Sequence, residues 1–202
     1  MTPGSRVAGP SDLDQVTAII AGAFADDPLW SWAIPELDRR AVLWRFLLGS
    51  ALRYPCTWLA GGGAASATWI PPGGSELTPG EEDELPVLLR ELCGDRADDV
   101  GELFERFGAA HPHDRAHYYL SLLGTHPSHR GRGLGMALLA HNLTTIDAEG
   151  MPAYLESTNG ANDKRYEALG FRRFGSFSRP DGQLTISTMG RDPLTPATTG
   201  NF

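Results

Sequence analysis

The chain has 202 residues, 41% of them hydrophobic and 21% charged, with a net charge of −8. These values fit an ordinary globular domain with a sizeable core. The acid surplus disfavours nucleic acid as a partner, and the longest apolar run, residues 41–52, is broken by Arg45 and falls short of a membrane span. Cys56 and Cys93 stand in unlike contexts. They form neither a disulfide framework nor a metal-ligand spacing, so a reducing compartment, the cytoplasm, is expected. The six histidines have no Cys or carboxylate partner set, and no metal is expected. Residues 1–10 lack the apolar core of a signal peptide.

Taken in order, residues 6–8 can hold a short strand. Ser11-Asp12 cap a helix in which Leu13, Val16, Ala18, Ile19, Ile20 and Phe24 recur at helical spacing, ending near Asp26-Asp27-Pro28. Residues 28–35 carry Trp30 and Trp32 and are expected to be an ordered turn rather than a linker. A second helix is predicted over 37–54, with Val42, Phe46, Leu47 and Leu52 inward. Residues 56–60 and 64–70 are predicted to pair as a hairpin about Gly61-Gly62-Gly63, stopped by Pro71-Pro72. Helices follow over 79–92 and 95–110. Between Glu76 and Glu105 eleven acidic residues face two arginines. This segment holds essentially all the net charge, either as a solvated helical face or as an acidic lip that attracts a cationic amine. His111-Pro112-His113 breaks to an apolar strand over 117–125.

A Pro-bearing turn at 126–129 then leads into Arg130-Gly131-Arg132-Gly133-Leu134-Gly135, from which a helix leaves with Met136, Leu139, Leu143 and Ile146 on one face. It closes at Gly150 with Pro152 just beyond. A strand over 153–158, a short helix over 162–169 ended by Gly170 and plugged by Phe171, and two strands over 171–177 and 183–189 about the Arg179-Pro180-Asp181-Gly182 turn complete the order. Residues 1–190 are expected to form a single domain and 191–202 a flexible tail. This order implies a mixed sheet flanked by helices, an α/β (α+β) architecture.

A strand feeding a Gly-rich turn that opens a helix binds anions. Backbone N–H groups converge in the turn, and the helix N-terminus adds roughly half a positive charge. A P-loop would need Gly-Lys-Ser/Thr, which is absent, and a dinucleotide fingerprint starting at Gly131 fails because its last position is Met136. What remains is Arg-x-x-Gly-x-Gly at Arg130, Gly133 and Gly135. Downstream, residues 155–171 read Leu-Glu-Ser-Thr-Asn-Gly-Ala-Asn-Asp-Lys-Arg-Tyr-Glu-Ala-Leu-Gly-Phe. The two stretches together resemble the GNAT acyltransferase superfamily. The resemblance is strong over about residues 116–172. The doubled asparagine, with Asn162 four residues before Tyr166, and Phe-Ala-Asp-Asp-Pro at 24–28 are similar to its puromycin N-acetyltransferase-like branch.

The resemblance implies the GNAT fold, a central, mixed, mostly antiparallel twisted sheet flanked by helices. It also implies acetyl-CoA as co-substrate and an N-acetyltransferase. Leu123, Gly124, Thr125, Arg130, Gly131, Arg132, Gly133, Leu134, Gly135, Met136 and Asn162 are expected to hold the cofactor, with pantetheine lying as an extra strand along 123–125. Asn162 is equally placed to cap the short helix. Tyr166 matches the family's general acid; a phenol of pKa about 10 stays protonated at pH 7 and can donate to a thiolate of pKa about 8.5. At the position where several relatives carry a catalytic carboxylate this chain has Tyr119, with His117 and Ser121 expected on the same strand face. His117 and Glu156 are the candidate bases, Glu156 alternatively being a buried structural acid. Phe24, Trp30, Tyr119 and Ser121 are expected to meet the acceptor, with Trp32 and Trp44 as further wall aromatics. The expected partner is a small-molecule amine, with no nucleic acid and no membrane, the chain being a monomer or homodimer. The rival readings are a non-catalytic acyl-CoA-binding or sensing module of the same fold, and a partner-binding protein that uses the acidic segment.

Overall fold

The computed structural model describes residues 4–194. The chain order is β1 (Arg6–Val7), α1 (Leu13–Ala23), α2 (Pro28–Ala33), α3 (Leu37–Ala51), β2 (Thr57–Ala60), β3 (Ala65–Ile70), α4 (Pro79–Cys93), α5 (Ala97–Ala110), β4 (Tyr118–Thr125), α6 (Leu134–Ala148), β5 (Ala153–Ser157), α7 (Asp163–Glu167), β6 (Arg172–Ser178) and β7 (Thr185–Arg191). The strands form one sheet in the order β1-β2-β3-β4-β5-β7-β6. Every neighbouring pair is antiparallel except β4 and β5. It is a mixed α/β fold with helices on both faces. One core packs α1 to α5 against the sheet through Ile20, Leu29, Trp44 and Leu103. The other seats α6 through Leu138, Leu139, Leu143 and Ile146.

The predicted Ser11-Asp12 cap of α1 is not made, because the Asp12 carboxylate accepts from Arg6 and the Gly9 N–H instead, but other helices start on local caps. Asp27 caps α2, its carboxylate accepting from the backbone N–H of Leu29 and Trp30, with Pro28 in the first turn. Thr78 and Glu81 form a capping box at α4, followed by Pro79. The segment carrying Trp30 and Trp32, expected as a turn, is thus a short helix. In α3 Leu47 and Leu52 are buried as predicted and Phe46 packs on the core, but Val42 is exposed and Leu43, Trp44 and Leu48 are buried beside them. Arg191, expected in the flexible tail, is ordered in the sheet. Arg191 ends β7 and pairs with both oxygens of Asp147 on α6 at 2.6 and 2.7 Å. The remaining tail residues, 195–202, lie outside the described residues.

Two irregularities open the sheet. The β3–β4 register runs Ala65↔Thr125 to Thr68↔Leu122 and then resumes at Trp69↔Leu120, so Ser121 is an extra residue, a β-bulge. Across the bulge Leu120 packs with the α6 core and Leu122 with the α1 core, where a regular strand would place both on one face. β4 and β5 pair only at Tyr118↔Ala153 and Tyr119↔Tyr154. Beyond that point β4 stays with β3 and β5 stays with β7. The facing edges of β4 and β5 part into a V.

Candidate active site

A cavity of about 620 Å³ fills the V. One wall is mostly backbone. The His126 N–H donates to the Ala64 carbonyl at 2.8 Å. In an antiparallel ladder bonded and non-bonded pairs alternate, so Gly124 and Leu122 bond β3 while Leu123 and Thr125 turn their N–H and C=O groups toward the gap. Next comes the glycine turn. Gly131 and Gly133 have φ of +79° and +69°, a region that penalises any Cβ. Gly135 lies where a Cβ would come within 2.7 Å of the Thr125 hydroxyl, so the first turn of α6 packs directly on the end of β4. The N–H groups of that first turn precede the intrahelical ladder and point along the helix axis toward the cavity. Leu123, Gly124, Thr125, Arg130, Gly131, Gly133, Leu134, Gly135, Met136 and Asn162 all line it; Arg132 does not and is exposed. These observations fit a phosphate-bearing, strand-like ligand such as acetyl-CoA: an open strand edge, a turn that only glycine permits, and a helix N-terminus in line.

Arg130 does more than supply charge. Its Nη2 donates to the carbonyls of Gly22 and Ala23 at 3.2 and 2.9 Å. Those groups end α1, so Arg130 ties the turn to the helix that carries the other wall. Asn162 does not cap α7 with its side chain; it accepts from Arg165 at 3.1 Å, and the local turn is capped by Asn159 through the Ala161 N–H.

The opposite wall is made of side chains. Phe24, Trp30, Trp44, Phe104 and Phe107 line it. Trp30 meets Trp44 edge-on at 4.7 Å and stacks parallel to Phe107 at 6.5 Å. Trp32, expected beside them, faces away under the Arg179 guanidinium, 4.7 Å from the ring. The corner that presents Phe24 and Trp30 is held from within. Buried Arg40 donates to the carbonyls of Phe24, Ala25, Ile34 and Pro35, and Asp27 accepts from the Thr158 hydroxyl at 2.8 Å, reaching the end of β5.

Ionisable groups gather where the walls meet. Tyr166 on α7 reaches the cavity with its ring edge-on to Phe171. Burial, with Asp163 and Asp27 nearby, pushes its phenol up to about 12, so it is protonated at neutral pH. Glu156 on β5 has a side chain only 3% exposed. Burial lifts its carboxyl to about 8 against the pull of the Tyr154 and Tyr119 phenols, and the charge of Glu76 adds to the rise. Tyr119 is raised well above an ordinary phenol by burial and by those two carboxylates. Ser121, the bulge residue, hydrogen-bonds the Glu76 carboxylate, which burial also raises.

Glu76 is the site residue that sequence reading missed. It was absorbed into an acidic run whose α4 and α5 members, such as Glu82, Asp83, Asp98 and Glu102, are indeed exposed. No periodicity distinguishes the one acid that turns inward ahead of α4. His117, expected beside Tyr119 and Ser121, does not line the cavity. It lies just before β4, opens on a separate groove with Arg115, Tyr154 and Phe174, and places Nε2 3.0 Å from His111 Nε2. Among the described residues no group of three His, Cys, Asp or Glu side chains is placed to hold a metal ion. Cys56 and Cys93 are free thiols and neither lines the cavity.

With this geometry in hand, residues 96–173 match the profile of the acetyltransferase (GNAT) domain. Over that stretch, less than half of the chain, the protein is similar to GNAT acetyltransferases. Mycothiol acetyltransferase from Acidothermus cellulolyticus is 25% identical over 170 residues, 82% of this chain but 43% of that protein, so this chain spans less than half the length of that curated relative. Solved structures share the GNAT fold over nearly the whole chain. One, histone acetyltransferase HPA2 and related acetyltransferase from Corynebacterium glutamicum, has a TM-score of 0.70 at 24% identity, covering 98% of this chain and 99% of its own. Arylalkylamine N-acetyltransferase 2 from Aedes aegypti has a TM-score of 0.69 at 14% identity, covering 95% and 99%. The GNAT match includes the glycine turn, Glu156 and Tyr166. It leaves out α1 to α3, and with them Phe24, Trp30 and Trp44.

Proposed function

We propose that this protein is an acetyl-CoA-dependent N-acetyltransferase that moves the acetyl group to a primary amine of a small molecule by direct transfer in a ternary complex. The observation that carries this reading is the arrangement at the V: one cavity is bordered by the open edge of β4, a phenol held protonated (Tyr166) and a sealed carboxyl held near neutrality (Glu156). Acetyl-CoA supplies a thioester, whose carbonyl is the electrophile and whose thiol leaves. The glycine turn and the first turn of α6 hold its phosphates. The outward N–H of Leu123 donates to the thioester carbonyl, and the strand edge aligns the pantetheine. The cavity aromatics take up the acceptor's apolar part, while Glu76, Ser121, Tyr119 and Glu156 receive its ammonium end.

Glu156 then removes a proton. An alkyl amine of pKa about 10.4 is only about one part in a few thousand neutral at pH 7, and a carboxyl titrating near the working pH is suited to take that proton. Tyr166 protonates the departing thiolate. Neither cysteine reaches the cavity, which supports direct transfer over an acyl-enzyme relay. The doubled asparagine and the Asp26-Asp27-Pro28 corner support placing the chain near the puromycin N-acetyltransferase-like branch.

The test is a panel of primary amines scored for thiol release from acetyl-CoA, run beside thermal unfolding. Saturating acetyl-CoA at a hundred times its Kd should add about 2.7 kcal/mol of stability, and at least one amine should release free thiol. A thermal shift with no thiol release from any amine would instead favour a non-catalytic acyl-CoA-binding module.

A further inference from the structure

A base sealed from solvent needs an outlet. If the acceptor arrives as an ammonium, each turnover converts RNH3⁺ and acetyl-CoA into the amide, CoA thiol and one free proton. The N–C bond forms as the C–S bond breaks. Of the two protons the nitrogen loses, one replaces the proton Tyr166 gives to the thiolate, and the other goes to Glu156 and must leave. The Glu156 side chain is 3% exposed, and its Oε1 has no hydrogen-bond partner in the described structure. With donor and acceptor bound, the cavity side is filled.

We propose that His111 and His117 form that outlet, carrying the proton from Glu156 away from the cavity to the separate groove where His117 meets solvent. The proposal rests on the acetyltransferase reading above. Its support is a chain of ring nitrogens with one consistent protonation pattern. His117 Nδ1 lies 2.8 Å from the Arg115 carbonyl. A carbonyl only accepts, so Nδ1 bears the proton and Nε2 of the neutral ring is a lone pair. That lone pair faces His111 Nε2 at 3.0 Å, so His111 must donate there and carry its proton on Nε2. His111 Nδ1 is then a lone pair, and it faces Glu156 Oε1 at 4.0 Å. Every donor points outward, the order needed for a proton entering at Nδ1 of His111 to push another from its Nε2 onto His117.

The 4.0 Å step exceeds a hydrogen bond and must shorten once acceptor and donor are bound, as catalytic contacts commonly do. The path runs among aromatic rings. His111 lies 4.9 Å from Tyr119, 5.0 Å from Tyr154 and 6.0 Å from His113, and His117 lies 5.5 Å from Tyr154. Burial and the two neighbouring histidines hold His111 down to about 4, so it hands a proton on rather than keeping it.

Two measurements test the relay. The first needs no acceptor: ¹⁵N-imidazole spectra of the whole protein at neutral pH should show His117 as the Nδ1–H tautomer and His111 as the Nε2–H tautomer. A His111 proton on Nδ1 overturns the proposal. The second compares 2-phenylethylamine with its weakly basic analogue 2,2-difluoro-2-phenylethylamine, which arrives neutral and has no surplus proton to lose. His111→Gln and His117→Gln should lower kcat for the first roughly ten- to a hundredfold and for the second less than about twofold. The acetyl-CoA thermal shift should be unchanged, which shows that the variants fold. Equal losses for both amines overturn the relay. If the wild type binds acetyl-CoA yet turns over neither amine, phenylethylamines are not its acceptors, and the spectra alone decide the relay.

Discussion

The two walls of the cavity are built by opposite means. The donor wall is backbone from a nearly continuous stretch: the outward groups of Leu123 and Thr125, the turn at Gly131 and Gly133, and the first turn of α6. The acceptor wall is side chains gathered from the α1–α2 corner, α3, the Glu76 loop and α5. A backbone wall suits a ligand whose phosphates and pantetheine never change, because little besides glycine is required of the sequence. A side-chain wall can be rebuilt for another acceptor without refolding the donor side. This division also fits the family match, which covers the donor wall and leaves out α1 to α3. Arg130 and Asp27 are the stitches between the halves.

If the halves are separable, a change at their seam should alter chemistry and neither affinity. Tyr166→Phe should lower kcat roughly 10³-fold while the acetyl-CoA Kd and the unfolding midpoint stay put, measured by thiol release and thermal shift. Glu156→Gln is next, with roughly a 10²-fold loss on strongly basic amines at pH 7. Its pH behaviour is more telling. The native carboxyl titrates at about 8 rather than 4.5, so the folded state holds the proton more tightly than the unfolded one. That contribution to stability is fully present below the ordinary carboxylate value and is lost as pH rises through about 8. Wild-type stability should therefore fall relative to Glu156→Gln between those limits and level off above them. Wild-type kcat/KM should rise over the upper part of that window, and the Gln variant should not show that limb. Parallel melting curves for the two proteins from pH 4 to 9 would refute the sealed-base assignment.

Separability is tested hardest on the acceptor side. Arg40→Ala removes the guanidinium from four backbone carbonyls, of which those of Phe24 and Ala25 keep another donor, the Asp27 N–H and the Ser31 hydroxyl, and should cost about 2 kcal/mol of stability. It should also raise KM for the acceptor, because Phe24 and Trp30 hang on that corner. Acetyl-CoA affinity should change less than about threefold. If it falls as far as acceptor affinity does, the two walls are one cooperative unit. The converse change is Gly135→Ala, whose Cβ would press on the Thr125 hydroxyl at 2.7 Å. It should weaken acetyl-CoA about tenfold, roughly 1.4 kcal/mol, and leave acceptor KM alone.

The same division explains what the sequence made legible. The glycine turn, Asn162 and Tyr166 could be read because their meaning is local: strand, turn and helix start are neighbours in the chain. Most element boundaries were legible for the same reason, through stops such as Pro71-Pro72 and Gly150. What could not be read depends on distant contacts. Val42 was placed inward on helical spacing alone, but α3 is phased by its packing on α1 and the sheet, which buries Leu43 and Trp44. His117, Tyr119 and Ser121 were put on one face by strict alternation; Tyr119 and Ser121 do both line the cavity, but His117 precedes the strand and does not. Glu76 and His111 gain their importance only where β4 and β5 part, an event with no local sequence marker.

The smallest expected effect sharpens the comparison from the donor side. Arg130 and Arg132 look alike in the sequence, both flanking Gly131 as cations beside an anion site. In the structure Arg130 is engaged with the end of α1, while Arg132 is exposed and off the cavity lining. An exposed charge near a bound phosphate acts through solvent and is screened by salt. Arg132→Ala should therefore weaken acetyl-CoA by about 0.5 kcal/mol at low salt and by nothing measurable at high salt. Arg130→Ala should retain part of its loss at high salt, since it removes two hydrogen bonds that tie the turn to the end of α1 as well as a charge. Titrating acetyl-CoA into both variants at two ionic strengths separates the roles. Equal, salt-sensitive losses would mean that Arg130 lets go of α1 when the cofactor binds, and that the stitch between the walls is made only in its absence.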